Sequence, residues 1–205
     1  MWWLMMPPRL LPSRVPDWII DPIVRLLVAL RLTPNILTFA GLVGSAIAGV
    51  LVANDVLLGG GILLLLSGAL DLFDGALARA TGRAGPIGAL LDSTVDRFSE
   101  AIVLFGVLFY ELERGNREES ALVFVAVVGS LLVSYVRSRA GELGVQLTEG
   151  LLTRPERIIL LAVGLITGWL RPTLWILAIL TVATALQRLY LAVRVLRTEA
   201  VEGGD

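Results

Sequence analysis

Long runs dominated by Leu, Val, Ile, Ala and Gly follow one another along this chain, separated by short polar breaks, near 34–53, 56–79, 87–110, 120–143, 156–170 and 172–196. All but the short fifth reach the roughly 20 residues that a helix needs to cross a hydrocarbon layer about 30 Å thick. The runs lack the period-two alternation of a lipid-facing barrel strand. Backbone polar groups in lipid must be paired within their own segment, so the pattern predicts helices. The expected fold is all-α: an integral membrane protein with six transmembrane helices in one bundle. The last two helices divide at "GWLRPT".

Ahead of the first span, "MWWLMMPPRLLPSRVPDWIIDPIVRLLVALRL" lacks the charged start and unbroken apolar core of a signal peptide, and its prolines interrupt any early helix. From Asp21-Pro22 onward it predicts a capped amphipathic helix with proline at the first position, lying in the interface while Arg25 and Arg31 reach headgroups. An ordinary extension of the first span is the other reading. Short loops and the lack of a low-complexity linker predict a single domain. It divides into an interfacial segment (1–32), the six-helix bundle (33–197) and a flexible tail (198–205). Gly41, Ser45 and Gly49, with Gly44 and Ala48, have the spacing that lets membrane helices approach closely.

Composition strengthens the membrane assignment. With 56% hydrophobic residues in a chain of 205 and a mean hydropathy of +0.82, there is more apolar side chain than one soluble core can hide. The formal net charge is only −1, yet the cations are unevenly placed, and every one is an arginine. Placing the N-terminus inside puts most of them, from Arg9 and Arg14 to Arg194 and Arg197, in cytoplasmic segments, and leaves Arg114, Arg117 and Arg171 outside. The positive-inside rule then assigns both termini to the cytoplasm. Nothing points to a nucleic-acid partner; the surroundings are membrane lipids. The chain has no cysteine and no histidine, which excludes disulfides, thiolate ligands and imidazole chemistry. Any metal must be held by oxygen, which favours Mg²⁺, Mn²⁺ or Ca²⁺.

Four aspartates interrupt this apolar sequence in "DLFDGALARATGRAGPIGALLDSTVD", from Asp71 to Asp96. A carboxylate at mid-bilayer costs on the order of 2.5–3.5 kcal/mol, so a group of four needs a wet cavity or compensating cations. Asp71 and Asp74 are three residues apart and Asp92 and Asp96 four, so each pair shares one helix face. The segment "RATGRAGPIG" reads as a tight turn that brings the two faces together near the inner surface. Asp71 is only about 12 Å along its helix from Arg79. Divalent ions would relieve the repulsion among the carboxylates. Gly75, Ala78 and Gly88 leave room beside them, and Arg79 stands at the mouth. A phosphate-bearing substrate partly dissolved in the membrane suits that arrangement. Structural pairing of the acids with Arg79, Arg83 and Arg97 is the plainer alternative.

The pattern D-x2-D-G-x2-A-R-x8-G-x3-D-x3-D is met at every fixed position by Asp71, Asp74, Gly75, Ala78, Arg79, Gly88, Asp92 and Asp96. It resembles the signature of the CDP-alcohol phosphotransferases, and the likeness runs from "LTPNILTFAG" to "LQRLYLAV". The resemblance implies a homodimer of six-helix protomers with a cytoplasm-facing site and two ions, Mg²⁺ or Mn²⁺. It implies metal binding by Asp71, Asp74 and Asp92. Asp96 would be the general base and would also touch a second ion, while Gly75, Ala78, Arg79, Gly88, Asn35 and Thr38 would line the CDP site. The base takes a proton from the acceptor hydroxyl as it attacks the β-phosphorus, releasing CMP.

Ser134 and Arg137 in "SYVRSR", Arg154 and Arg157 in "TRPER", and Arg188 in "LQRL" are candidates for binding the acceptor. Converging guanidinium groups suit a phosphomonoester dianion, whereas a choline-type cation would want an aromatic cage. The arrangement resembles that of phosphatidylinositol phosphate synthases, which implies CDP-diacylglycerol as donor and inositol phosphate as the phosphorylated polyol acceptor. Lysine is common in that subfamily where this chain has Arg137, so glycerol 3-phosphate, the acceptor of phosphatidylglycerophosphate synthases, stays open. A divalent-ion transporter is the reading from another class, but no second copy of the acid pattern is present. A scaffold would be indifferent to loss of one aspartate.

Overall fold

The computed structural model describes residues 17–147 and 150–202. Among these, the chain forms α1 (Asp17–Ala29), α2 (Pro34–Ala53), α3 (Leu57–Ala80), α4 (Pro86–Glu113), α5 (Arg117–Glu142), α6 (Arg154–Thr167) and α7 (Leu170–Glu202). The described residues contain no strand. Local chemistry sets several of the ends. Thr33 caps α2 by accepting from the Ile36 N–H, with Pro34 following at the first helical position. Pro86 opens α4 in the same way. Between α6 and α7 the chain breaks at Gly168, whose φ of 74° favours glycine.

Helix α2 packs along both α3 and α4, α5 along α7, and α6 joins the two groups by packing on α3 and α7. Small residues permit this, as their spacing predicts. A Cβ built on Gly106 of α4 would lie 2.2 Å from the Gly49 carbonyl oxygen of α2, and one on Gly44 would lie 2.3 Å from Ser67 Oγ of α3. Backbone meets backbone at the first of these crossings, so no side chain can yield. Gly106→Val should therefore cost at least about 3 kcal/mol. Its unfolding temperature in detergent should fall well below the wild type's; an unchanged value would contradict the close crossing.

Large apolar side chains cover the outside of the protein, while its buried apolar core also holds polar side chains. Phe39, Val43, Ile47 and Val50 form an exposed stripe on α2, and Ile176, Ile179, Leu186 and Tyr190 are exposed along α7. Meanwhile Ser45, Ser67, Ser130, Thr181 and Thr184 are buried. An apolar exterior with hydroxyl side chains buried between helices suits a bundle whose solvent is lipid, where small and hydroxyl side chains help hold helices together. Among the described residues, four helices are long and apolar enough to cross a membrane: Pro34–Ala53, Leu57–Ala80, Arg117–Glu142 and Leu170–Thr198. The expectation of six spans is met to that extent. Helix α4 carries too many charges to qualify by composition, and α6 has only 14 residues.

Two expectations at the chain ends are corrected. Helix α1 starts at Asp17, not Asp21, so Pro22 lies inside the helix. Ile20, Val24 and Leu27 share one face and pack with Leu37, Leu70, Ala76 and Leu77, which extends the helix past the proline's missing donor. Residues 1–16 of the expected interfacial segment lie outside the described residues. At the other end, α7 continues through Glu202 where a tail was expected from residue 198; residues 203–205 lie outside the described residues.

Candidate active site

The site grows from the reversal between α3 and α4. Gly82 takes a left-handed φ of 66°, and the Arg83 N–H donates back to the Ala78 carbonyl at 2.9 Å, which closes the end of α3. Extended Gly85 and then Pro86 restart the helix. The two helices touch only slightly, while α2 packs on both. A cavity of about 560 Å³ opens where they separate, lined from α2 by Thr33, Asn35 and Thr38, from α3 by Asp74, Gly75, Ala78 and Arg79, and from α4 by Gly88 and Asp92. All six residues expected to meet the CDP group therefore face one space. A Cβ on Gly88 would meet nothing within 4 Å, and one on Gly75 would meet only Arg79 Nη1, at 3.4 Å.

The aspartates divide into two pairs across the helices. Asp74 and Asp92 line the cavity. Asp74 is only 3% exposed, and Thr38 Oγ1 donates to its Oδ2 at 2.6 Å. Asp71 and Asp96 are joined through Arg154, whose Nη2 lies 2.6 Å from Asp71 Oδ2 and whose Nη1 lies 2.8 Å from Asp96 Oδ1. Gly41 makes space for this cluster, since a Cβ there would be 2.7 Å from Asp71 Oδ1. Thr38→Val would remove the hydroxyl that orients Asp74 while keeping the side chain's shape. A loss of about tenfold to a hundredfold in activity or metal affinity is expected; an unchanged metal titration and rate would show that this contact orients nothing.

The donor set fits a hard divalent cation. It is made only of carboxylates, and Asp96 Oδ1 is buried with no aligned hydrogen bond, its contact with Arg154 being an ion pair without hydrogen-bond geometry. As the side chains stand, no three carboxylates among the described residues gather around one point. Arg154 draws Asp71 and Asp96 together instead.

None of the five residues expected to bind the acceptor lines the cavity. Arg154 sits among the acids. Arg157 is committed to Glu100, with Nε to Oε1 at 2.6 Å and Nη2 to Oε2 at 2.7 Å, so the structure does not turn it toward the cavity. The reason is the strong preference of a buried guanidinium for a two-pronged carboxylate partner. Arg188 is buried too, its Nη1 donating to the Val133 carbonyl at 3.0 Å, next to Ser134. Ser134 is half-buried and Arg137 exposed on α5.

The acidic end of the site contains two features that the sequence reading passed over. Glu100 continues the Asp92–Asp96 stripe by a further turn, a signal the four-residue spacing could have given. Thr153 and Glu156 form a capping box at the start of α6, with the Thr153 N–H donating to Glu156. That T-x-x-E spacing fixes where α6 begins, and so where Arg154 and Arg157 point.

Comparison with known proteins places these features in a family. A family model described as CDP-alcohol phosphatidyltransferase matches residues 31–187. The archaetidylinositol phosphate synthase of Pyrococcus horikoshii is 37% identical over 83% of this chain and 89% of its own length. The phosphatidylinositol phosphate synthase of Corynebacterium glutamicum is 38% identical over 85% of this chain and 84% of its own. Among solved structures, the phosphatidylinositol phosphate synthase of Mycobacterium tuberculosis with CDP-DAG bound superimposes with a TM-score of 0.78 at 30% identity, covering 85% of this chain and 94% of that one. The same enzyme in complex with manganese and citrate gives a TM-score of 0.77, covering 83% and 87%.

Proposed function

Because a single family model spans most of its length, this chain belongs to the CDP-alcohol phosphatidyltransferase family, and from that membership we propose that it transfers the phosphatidyl group of CDP-diacylglycerol to inositol phosphate, releasing CMP. Support for the reaction comes from one observation above all: Asn35, Thr38, Gly75, Ala78, Arg79 and Gly88 line one cavity together with Asp74 and Asp92. Support for the acceptor comes from relatives whose names share inositol phosphate while differing in the lipid they carry.

In this reading Asp71, Asp74, Asp92 and Asp96 hold the divalent ions, two of them, as Mg²⁺ or Mn²⁺. When bound, the ions neutralise the diphosphate and the charge that develops on the leaving CMP. Thr38 keeps the Asp74 carboxylate oriented through their 2.6 Å bond. Arg79, exposed at the rim of the cavity, meets the nucleotide diphosphate. Asp96 takes the proton of the acceptor hydroxyl as its oxygen bonds to the β-phosphorus; the bond from that phosphorus to the bridging oxygen breaks, and CMP leaves with the electron pair. Arg154, with Ser134, Arg137 and Arg188 near the same end of the bundle, attracts the acceptor's phosphate.

The wider arrangement belongs to the same proposal. The chain is one domain, in which α4 and α6 also cross the membrane, since their charges are matched inside the bundle by the pairs Asp96–Arg154 and Glu100–Arg157. Helix α1 lies at the interface, the site and both termini face the cytoplasm, and two protomers associate. The test is incorporation of labelled inositol phosphate or glycerol 3-phosphate into lipid by the purified protein, with CDP-diacylglycerol and with or without Mg²⁺ or Mn²⁺. Ion-dependent labelling from inositol phosphate is expected. Preference for glycerol 3-phosphate would overturn the acceptor, and labelling without any ion would overturn the mechanism.

A further inference from the structure

We infer that Glu100, through its buried pair with Arg157, is a positioning residue that sets Arg154 against Asp71 and Asp96. The inference rests on the proposed reading of Arg154 as an acceptor-binding group and assigns a role to an acid that the reaction itself does not use.

Glu100 is 6% exposed and its pair with Arg157 is bidentate. Ser130 Oγ of α5 donates to the same carboxylate at 2.8 Å. The remaining terminal nitrogen of Arg157 reaches the Leu152 carbonyl at 3.4 Å, in the segment that leads into the Thr153 cap. One carboxylate thus ties α4 to α5, to α6 and to the approach to α6.

The geometry of the two helices makes this more than a local contact. Asp96 and Glu100 are one turn apart on α4, and Arg154 and Arg157 one turn apart on α6, so the pairs Asp96–Arg154 and Glu100–Arg157 are successive rungs between the same two helices. Helix α4 packs mainly on α2 and α5, and α6 mainly on α3 and α7, so side chains carry the connection between them. The outer rung is partly exposed, with Arg154 at 24%. A bidentate pair in a dry setting has one favoured geometry, whereas a partly wetted contact is free to shift. The inner rung therefore fixes the rotation and axial position of the start of α6, which the capping box then carries to Arg154. Gly150 contributes at the same loop: a Cβ there would be 3.2 Å from the Arg188 guanidinium and 2.8 Å from Thr184 Cγ2.

The test is steady-state kinetics on the full-length protein in detergent, using the phosphomonoester acceptor that the wild type accepts, with size-exclusion and thermal unfolding as readouts of folding. Glu100→Gln keeps the shape and removes the charge. Its acceptor KM should rise about tenfold or more, as when a supporting contact of a site residue is lost, while its KM for CDP-diacylglycerol stays within about twofold of wild type. If that variant does not fold, the double variant Glu100→Leu with Arg157→Leu leaves no unpaired buried charge; it should fold and show the same selective rise in acceptor KM. Lowered stability with an unchanged acceptor KM, in whichever of the two folds, overturns the inference and leaves a structural pair. A wild type that turns over neither inositol phosphate nor glycerol 3-phosphate removes the functional reading first, and this inference with it.

Discussion

Asp92→Asn is expected to lower turnover of CDP-diacylglycerol by about a hundredfold to a thousandfold, the scale on which electrostatic stabilisation of developing charge is lost, while the helical bundle stays assembled. The substitution exchanges a carboxylate for an amide of the same shape. Asp92 lines the cavity beside Asp74, Gly88 and Arg79, so the charge is lost where the proposed reading seats the diphosphate and its ions. The ion pairs that connect helices at this end run through Asp71, Asp96 and Glu100, and Asp92 is not among them. Stability and activity should therefore separate. Single-turnover rates, a size-exclusion profile and a Mn²⁺ titration measure the three quantities concerned. A folded variant that binds Mn²⁺ and turns over like the wild type would sink the assignment of Asp92 to the metal site.

Arg154→Ala should have the second largest effect, and with two signs. Its guanidinium is bonded to Asp71 and paired with Asp96. With it gone, the two carboxylates face one another without a cation, which raises the attraction of the site for a divalent ion. Mn²⁺ affinity should rise. The efficiency with the phosphomonoester acceptor should fall by about tenfold to a hundredfold, the loss expected for a charge-assisted contact. Calorimetry with Mn²⁺ and kcat/KM for the acceptor report the two effects separately. An unchanged acceptor efficiency would mean that Arg154 serves the acids alone.

Much of the fold was legible because lipid removes alternatives. A backbone that must pair internally at membrane depth can only be helical here, so the boundaries of α2, α3 and α4 follow from apolar runs flanked by Pro34, Gly82 and Pro86. Residues of the acidic motif were legible for a related reason: a carboxylate in an apolar run is costly enough to mark a site. Helix α1 was placed less well, since the contacts of Ile20, Val24 and Leu27 with α3 and α2 outweigh the proline that suggested a later start.

The acceptor side was harder to read. Arginines in a cytoplasmic loop have the same sequence signature whether they meet lipid headgroups, a substrate or a buried acid. Arg157 was expected to turn toward a phosphate, and the structure binds it to Glu100 instead. The three-residue spacing of Arg154 and Arg157 does not reveal which helix they meet, because partners 57 and 83 residues apart in the chain meet only through packing.

The sequence by itself determined that the protein is helical and membrane-embedded, that its chemistry depends on oxygen ligands, and which residues form the acidic motif. Each of these is set by local composition and spacing, through backbone satisfaction, the lack of His and Cys, and helical periodicity. Only the tertiary structure decided how the charges were shared out: Arg154 to Asp71 and Asp96, Arg157 to Glu100, Thr38 to Asp74. Buried charges take the partner that desolvation and geometry make least costly, and that choice exists only once α2, α3, α4 and α6 are packed together.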